Sequence, residues 1–334
     1  MHYVKTTNYD KFKCIADKCP ETCCAGWQIV IDDESLKKYA NMRGPFSGRL
    51  LNEVNFSEGC FKQYGKRCAM LNDDNLCDLI TECGEDALCY TCAMYPRHVE
   101  EYEGVREYSL SLSCPEAARM ILENKEKLEF IEWDDDEEDD FEDFDYLIYT
   151  KLEDARDVIY KIIQDRSLSF YRKADILTAF GLKLQEKIDN DEIFDMDDVI
   201  DEFAGDVTTL PGDDLWKKNE HITLLNKLEV LYGDWQGYIG KAYEMNEEPV
   251  LTEEEEIQAE QLLMFFFYVY FCGAVYDDMI KSKVLMSVMS VYWIFKIDRA
   301  MEKPDIIKTA YLYAREVEHS DLNLDDLEDM LKDL

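Results

Sequence analysis

No run of apolar residues in this chain is long enough to span a bilayer. The two longest, Leu262–Tyr276 and Val284–Phe295, hold fifteen and twelve residues, against the roughly 18–20 that a helical span needs. Asp277 and Asp278 lie between them, and both runs read as buried helices. The first fourteen residues, MHYVKTTNYDKFKC, lack the apolar core of a secretory signal. A cytoplasmic protein without a membrane partner is therefore expected. The fourteen glycines nowhere form G-x-G, so the usual glycine-rich loop that cradles a nucleotide cofactor is missing. Basic residues are scarce: 36 Lys and Arg stand against 74 Asp and Glu, a formal net charge of −38. Such a surface repels nucleic-acid phosphates, which excludes a nucleic-acid partner, and attracts cationic partners over long range. Solubility is the plainer use of the same charge.

Cysteine is nearly absent from the last 220 residues, where Cys272 stands alone, yet eleven cysteines crowd between Cys14 and Cys114. Core packing would scatter them through both halves. Cytosolic thiols stay reduced, which argues against a disulfide scaffold. Thiolates are soft ligands, suited to zinc, Cu(I) or iron–sulfur clusters. The paired C-x2-C knuckles of a zinc ribbon occur only once, at Cys89 and Cys92, a poor match to structural zinc. The C-x3-C-x2-C pattern is also missing, because Gly26 stands where Cys19 and Cys23 require a third cysteine. Iron–sulfur ligation tolerates irregular spacing, and Cys-Pro pairs occur at Cys19–Pro20 and Cys114–Pro115. In the doublet Cys23–Cys24, neighbouring side chains diverge, so one ligates while the other packs.

The expected fold is mainly α, with an irregular cysteine-rich metal-binding domain over 1–130 and an all-helical bundle over 146–334. Between them, 131–145 reads as an acidic linker or loop, since EWDDDEEDDFEDFD (132–145) carries eleven acidic residues in fourteen. A docking strip for a basic partner is the alternative. Three- and four-residue spacing of apolar residues predicts helices over 146–164, 172–188, 219–235, 252–279, 283–301, 304–319 and 324–334. Thr252 and Glu255 have the spacing of a capping box. The Met and aromatic stripe of 262–295 reads as bundle core, with Cys272 as a buried small apolar residue.

Four segments then occur in order: TCCAGWQIVID (22–32), CAMLNDDNLCDLI (68–80), LCYTCAMYPRH (88–98) and SLSLSCPEAAR (109–119). Together they resemble the flagellin lysine-N-methylase family, within the wider group of cysteine-cluster proteins of the CxxCxxCC type. AREVEHS (314–320) is a weaker echo. The resemblance implies methyl transfer from S-adenosylmethionine to lysine side chains of flagellin, assisted by a [4Fe–4S] cluster. It places the metal ligands on Cys23, Cys24, Cys68, Cys77 and Cys92, with Cys14, Cys19 and Cys114 as next candidates. Cys60, Cys83 and Cys89 are left as packing or spare thiols. The first cysteines read C-x4-C-x3-C-C rather than C-x2-C-x2-C-C, which leaves the roles of Cys14 and Cys19 open.

Methyl transfer to lysine needs a neutral amine aligned behind the sulfonium methyl, with water excluded. Arg97 and His98 are the nearest polar candidates for catalysis. Arg97 and Tyr95 are also candidates for cofactor binding, Arg97 through a cofactor carboxylate. Glu116 is a third catalytic candidate, although its place in a first helical turn explains it without function. Arg97 serves equally to neutralise the acidic surroundings, His98 as a surface histidine, and Trp27, Tyr90 and Tyr95 as packing. His319 reads as a cation at a helix end. Two other classes compete with the enzyme: a zinc- or cluster-stabilised module that binds a partner without catalysis, and a redox sensor built on exposed thiols.

Overall fold

The computed structural model describes residues 1–137, 139, 144–231, 233–245 and 247–334. The cysteine-bearing half carries strand β1 (His2–Thr6), helices α1 (Asp33–Asn41) and α2 (Ser47–Glu53), and two short ladders. The first ladder joins β2 (Val54–Asn55) to β3 (Cys60–Phe61), the second β4 (Gln63–Tyr64) to β5 (Arg67–Cys68). Next come α3 (Asp78–Cys83), α4 (Tyr90–Met94), the hairpin of β6 (Arg97–Tyr102) and β7 (Val105–Leu110), α5 (Pro115–Leu122) and β8 (Phe130–Asp134). Gly104 turns the hairpin at φ 72°, a left-handed conformation that favours glycine.

Strands β6, β7, β1 and β8 form one sheet in that order. β1 runs parallel to β7 and antiparallel to β8. This sheet was not expected from the sequence: the residues that pair with β1 lie about a hundred positions away, and five residues of HYVKT carry little pattern alone. The acidic stretch expected to act as a linker begins inside β8, with Glu132, Trp133 and Asp134 bonded to the sheet's inner strand. Its residues 138 and 140–143 lie outside the described residues.

The rest is helical, as expected: α6 (Tyr146–Ile163), α7 (Phe170–Asp189), α8 (Met196–Phe203), α9 (Trp235–Glu244), α10 (Glu253–Tyr270), α11 (Ile280–Ala300), α12 (Ile306–Val317) and α13 (Asp321–Lys332). α11 is buried continuously from Ser282 to Asp298, which its apolar residues on every side allow. The capping box of Thr252 and Glu255 opens α10. That helix and its 3-10 extension, Glu253–Val275, are long and apolar enough to cross a membrane, unlike the shorter apolar run read from sequence; 78% of the most apolar window is buried within the protein. The helix expected over 219–235 is instead a 3-10 stretch, Asn219–Lys227, that ends on an extended Leu228, and α9 begins only at Trp235. Side chains take over the backbone there: Glu229 N–H donates to Asn323 Oδ1 at 2.7 Å and Leu231 N–H to Glu316 Oε2 at 2.9 Å.

One large core spans both halves, because Val4, Tyr102, Leu112 and Ile121 pack with the bundle. The Tyr268 hydroxyl donates to the Val4 carbonyl at 3.2 Å, tying α10 to β1. A second, smaller core gathers Ile29, Ile31, Tyr39, Leu50, Phe61, Met70 and Leu79 with Cys68 and Cys89. The candidate site lies where that small core meets the end of α12.

Candidate functional site

Backbone hydrogen bonds bring four cysteine segments together. Cys68 N–H donates to the Cys24 carbonyl at 2.8 Å and Gly26 N–H to Lys66 at 2.9 Å. Asp78 N–H donates to Met70 at 2.8 Å, which folds the Cys77 segment onto the Cys68 segment. The segment that opens α4 at Cys89 is held by Asp32, whose carboxylate accepts Tyr90 N–H at 2.8 Å and also caps α1. These two amides hold the Asp32 carboxyl down at about 2. The Thr91 hydroxyl donates to the Val30 carbonyl at 2.8 Å.

The thiols form two matching pairs. Cys23 and Cys24 influence each other's ionisation: the pKa of Cys24 falls to about 7, while that of Cys23 rises. Cys89 and Cys92 do the same, Cys89 falling to about 7 as Cys92 rises. Burial pushes Cys68 up to about 12, and the neighbouring Cys24, Cys77 and Cys89 add repulsion. Cys77 is raised by burial and by Cys24. Cys24 is thus a shared electrostatic neighbour of Cys68, Cys77 and Cys92. Burial pushes Cys114 up to about 11; Cys19 and Cys14 lie near it, and Cys23 feels both Cys14 and Cys114.

All twelve cysteines are free thiols. Among the described residues, no three His, Cys, Asp or Glu side chains gather closely enough to hold a single metal ion. A four-iron cluster is broader than one ion and takes thiolates from separate segments. Buried thiols that oppose each other's ionisation are a donor set that a soft cation would deprotonate together. By donor chemistry, Cys24, Cys68, Cys77 and Cys92 fit an iron–sulfur cluster, with Cys23 and Cys89 as the electrostatic partners of Cys24 and Cys92.

The end of α12 covers this segment. Arg315 is fully buried. Its Nε donates to the Ser113 carbonyl at 2.9 Å, one Nη to the Glu21 carbonyl at 2.8 Å and the other to Thr22 at 3.4 Å. Trp27 Nε1 donates to the Cys23 carbonyl at 2.7 Å. The Trp27 ring stacks on His319 at 5.2 Å and lies 5.8 Å from Tyr95. His319 is not the expected helix-end cation. Burial, reinforced by Arg315, pushes its pKa down to about 4, so the ring is neutral near pH 7. Burial pushes Glu318 up to about 8.

The other sequence candidates are dispersed. The Arg97 guanidinium lies over the rings of Tyr9 and Phe12, at 5.8 and 5.6 Å. His98 Nε2 stands 2.5 Å from Glu100 Oε1, on the exposed side of β6. Glu116 gives both carboxylate oxygens to Arg119, at 2.6 and 2.9 Å, within one turn of α5. Tyr95 donates to or accepts from Ser113 Oγ at 3.1 Å. Cys60 lies buried in β3, and Cys14 is exposed. Sequence reasoning passed over Cys89, Arg315 and Glu318. The C-x2-C spacing signalled the first, and AREVEHS contains the other two.

The family described as FliB lysine N-methylase C-terminal domain matches residues 156–334, more than half of the chain. Among curated proteins, the flagellar biosynthetic protein FliU of Salmonella muenchen is 30% identical over 126 residues, covering 35% of this chain and 75% of that protein. A lysine-N-methylase of Salmonella typhimurium is 29% identical over 127 residues, 35% of this chain and 32% of its own length. Another, from Salmonella choleraesuis, is 31% identical over 126 residues, 35% of this chain and 31% of its own. The alignments thus span about a third of the two lysine-N-methylases. No solved structure matches the chain. The chain belongs to the FliB lysine N-methylase family.

Proposed function

We propose that this chain is a cytoplasmic lysine N-methyltransferase that takes its methyl group from S-adenosylmethionine and acts on lysines of flagellin. The observation that carries the reading is the meeting of four thiol-bearing segments around Cys24, in a chain of this family. Three of the four thiols Cys24, Cys68, Cys77 and Cys92 would hold a [4Fe–4S] cluster. Such a cluster, with one iron left open, supplies an anchoring point for the amino and carboxylate groups of the methyl donor. This meets the want of a glycine-rich loop. The protein's own residues do the rest. Arg315 and Trp27 fix the carbonyls of Glu21, Thr22 and Cys23, so the doublet keeps its place. The net charge of −38 draws in a cationic lysine segment and raises its local concentration.

The test is anaerobic purification followed by assay of iron, acid-labile sulfide and zinc, then transfer of labelled methyl from S-adenosylmethionine to purified flagellin. The expected result is about four irons and four sulfides per chain, with label on flagellin lysines. Stoichiometric zinc, no colour and no label would replace the reading with a zinc-stabilised binding module.

A further inference from the structure

Glu318 caps the C-terminus of α12, and its Oε1 is shut off from solvent without a hydrogen-bond partner. Three other buried carboxylates face cations: Glu107 meets Arg156 at 2.5 Å, Glu260 meets Arg166 at 2.9 Å, and Glu328 meets Lys283. Among the described residues, Glu318 forms no ion pair with lysine or arginine. A carboxylate left so is costly to keep as structure alone, yet suits a site completed by a cation from outside.

Its neighbours make a continuous polar row. The hydroxyls of Ser111 and Tyr270 reach the carboxyl, and His98 is its electrostatic neighbour. Ser111 Oγ lies 2.7 Å from Ser113 Oγ, which lies 3.1 Å from the Tyr95 hydroxyl. The Tyr95 ring meets His319 edge-on at 6.3 Å, and His319 Nε2 is also shut off and unpartnered. The row ends at Trp27, bonded to Cys23. In the other direction His98 leads to Glu100 and the exposed face of β6. The titratable and charged groups around Glu318 are His98 and Glu100 from β6, Tyr270 from α10, Tyr313 and Arg315 on its own helix, and Glu328 of α13 beyond Tyr270.

We propose that Glu318 is a catalytic residue that takes the proton from the ammonium of the substrate lysine, with His98 and Glu100 as its outlet to solvent. The proposal rests on the methyl-transfer reading above. The lysine arrives as an ammonium ion. One N–H bond breaks, its electron pair stays on nitrogen, and the proton goes to Glu318 Oε1. The freed pair attacks the sulfonium methyl: a C–N bond forms, the C–S bond breaks, and its pair remains on sulfur as a neutral thioether. Glu318 then yields its proton through His98. In a low-dielectric site the first transfer replaces two buried charges with none. Burial also brings the carboxyl to about 8, close to the working pH that favours a general base.

Two readouts on the full-length protein test this. In the first, transfer of labelled methyl to purified flagellin is followed from about pH 6 to about pH 10 for the parent, E318Q and E318D. The parent rate should climb through pH 8 and level off. E318Q should fall roughly 100-fold at pH 7.5 and keep climbing toward the lysine's own pKa, ~10.4. Its iron content and affinity for S-adenosylmethionine should match the parent, and E318D should regain part of the rate with the parent's profile. The second readout needs no activity. The carboxyl carbon of Glu318 is titrated by NMR in protein labelled with 13C-glutamate, assigned by its loss in E318Q, with and without n-butylammonium. The amine should move the midpoint by about one unit or more. An intact amine response in a protein that transfers no methyl would sink the methyl-transfer reading and keep Glu318 as an amine site. A parent-like rate and profile in E318Q, or a titration indifferent to the amine, would overturn the proposal.

Discussion

Arg315 donates to the carbonyl of Glu21 at 2.8 Å, across 294 positions of sequence. The last third of the chain thereby holds the residues that lead into Cys23 and Cys24. Because the guanidinium is fully buried, its loss leaves the carbonyls of Thr22 and Ser113 without its hydrogen bonds and that of Glu21 with only the Cys19 thiol. R315A should cost about 3–5 kcal/mol in denaturant unfolding and lower the iron bound per chain. R315K should recover only part of this, since an ammonium cannot present the planar fork that meets three carbonyls at once. A parent-like iron content in R315A would separate this clasp from the thiol site.

Glu318 makes stability depend on pH in a defined direction. Its folded pKa of about 8 lies above the ordinary glutamate value of 4.5. Between these two values the folded protein binds more protons than the unfolded chain, so this group's contribution is complete below 4.5 and lost as pH rises through 8. Glutamine cannot ionise. E318Q should match its parent near pH 4.5 and exceed it by a few kcal/mol near pH 8.5, read as a difference in unfolding midpoints. A constant difference at both pH values would contradict the assignment.

The paired thiols give a spectroscopic prediction. In reduced, metal-free protein, ultraviolet thiolate absorbance should show a step near pH 7, worth about two thiols. C24S and C89S should each remove about half of it. C60S should leave it intact, because Cys60 lies in β3, outside the two coupled pairs.

At Gly181, α7 approaches α11 closely. A Cβ there would stand 2.7 Å from Val284 Cγ2 of α11. G181A should destabilise the protein by about 1–3 kcal/mol, and V284A should relieve part of that cost in the double variant. Additive losses in a thermal-unfolding cycle would mean that the helices do not meet there as described.

Helices α6, α7, α10, α11, α12 and α13 were legible because each carries enough periodic apolar residues to be recognised locally. The sheet was not legible. HYVKT becomes an inner strand only through partners at 105–108 and 130–134, and nothing within five residues reports them. The stretch 219–235 misled for a related reason: its helical periodicity is real, but Asn323 and Glu316 capture the backbone. At the candidate site, the crowding of thiols was visible and their pairing was not. Cys89 reads as spare until its ionisation is seen to be tied to that of Cys92. Glu318 and His319 read as ordinary helix-end residues, since their burial comes from segments more than 200 positions away, at Trp27, Tyr95 and Ser111.

The placement of β1 between β7 and β8 sets an order of events during synthesis. β1 cannot complete its strand pairing until residue 134 has been made, nor can Val4 meet the Tyr268 hydroxyl until twice that length exists. Contacts of such separation close late and fold slowly. The cysteine-bearing segments are therefore synthesised well before the bundle that covers them. Their thiols are most open to metal loading, and to oxidation, while the ribosome is still making α10 through α13.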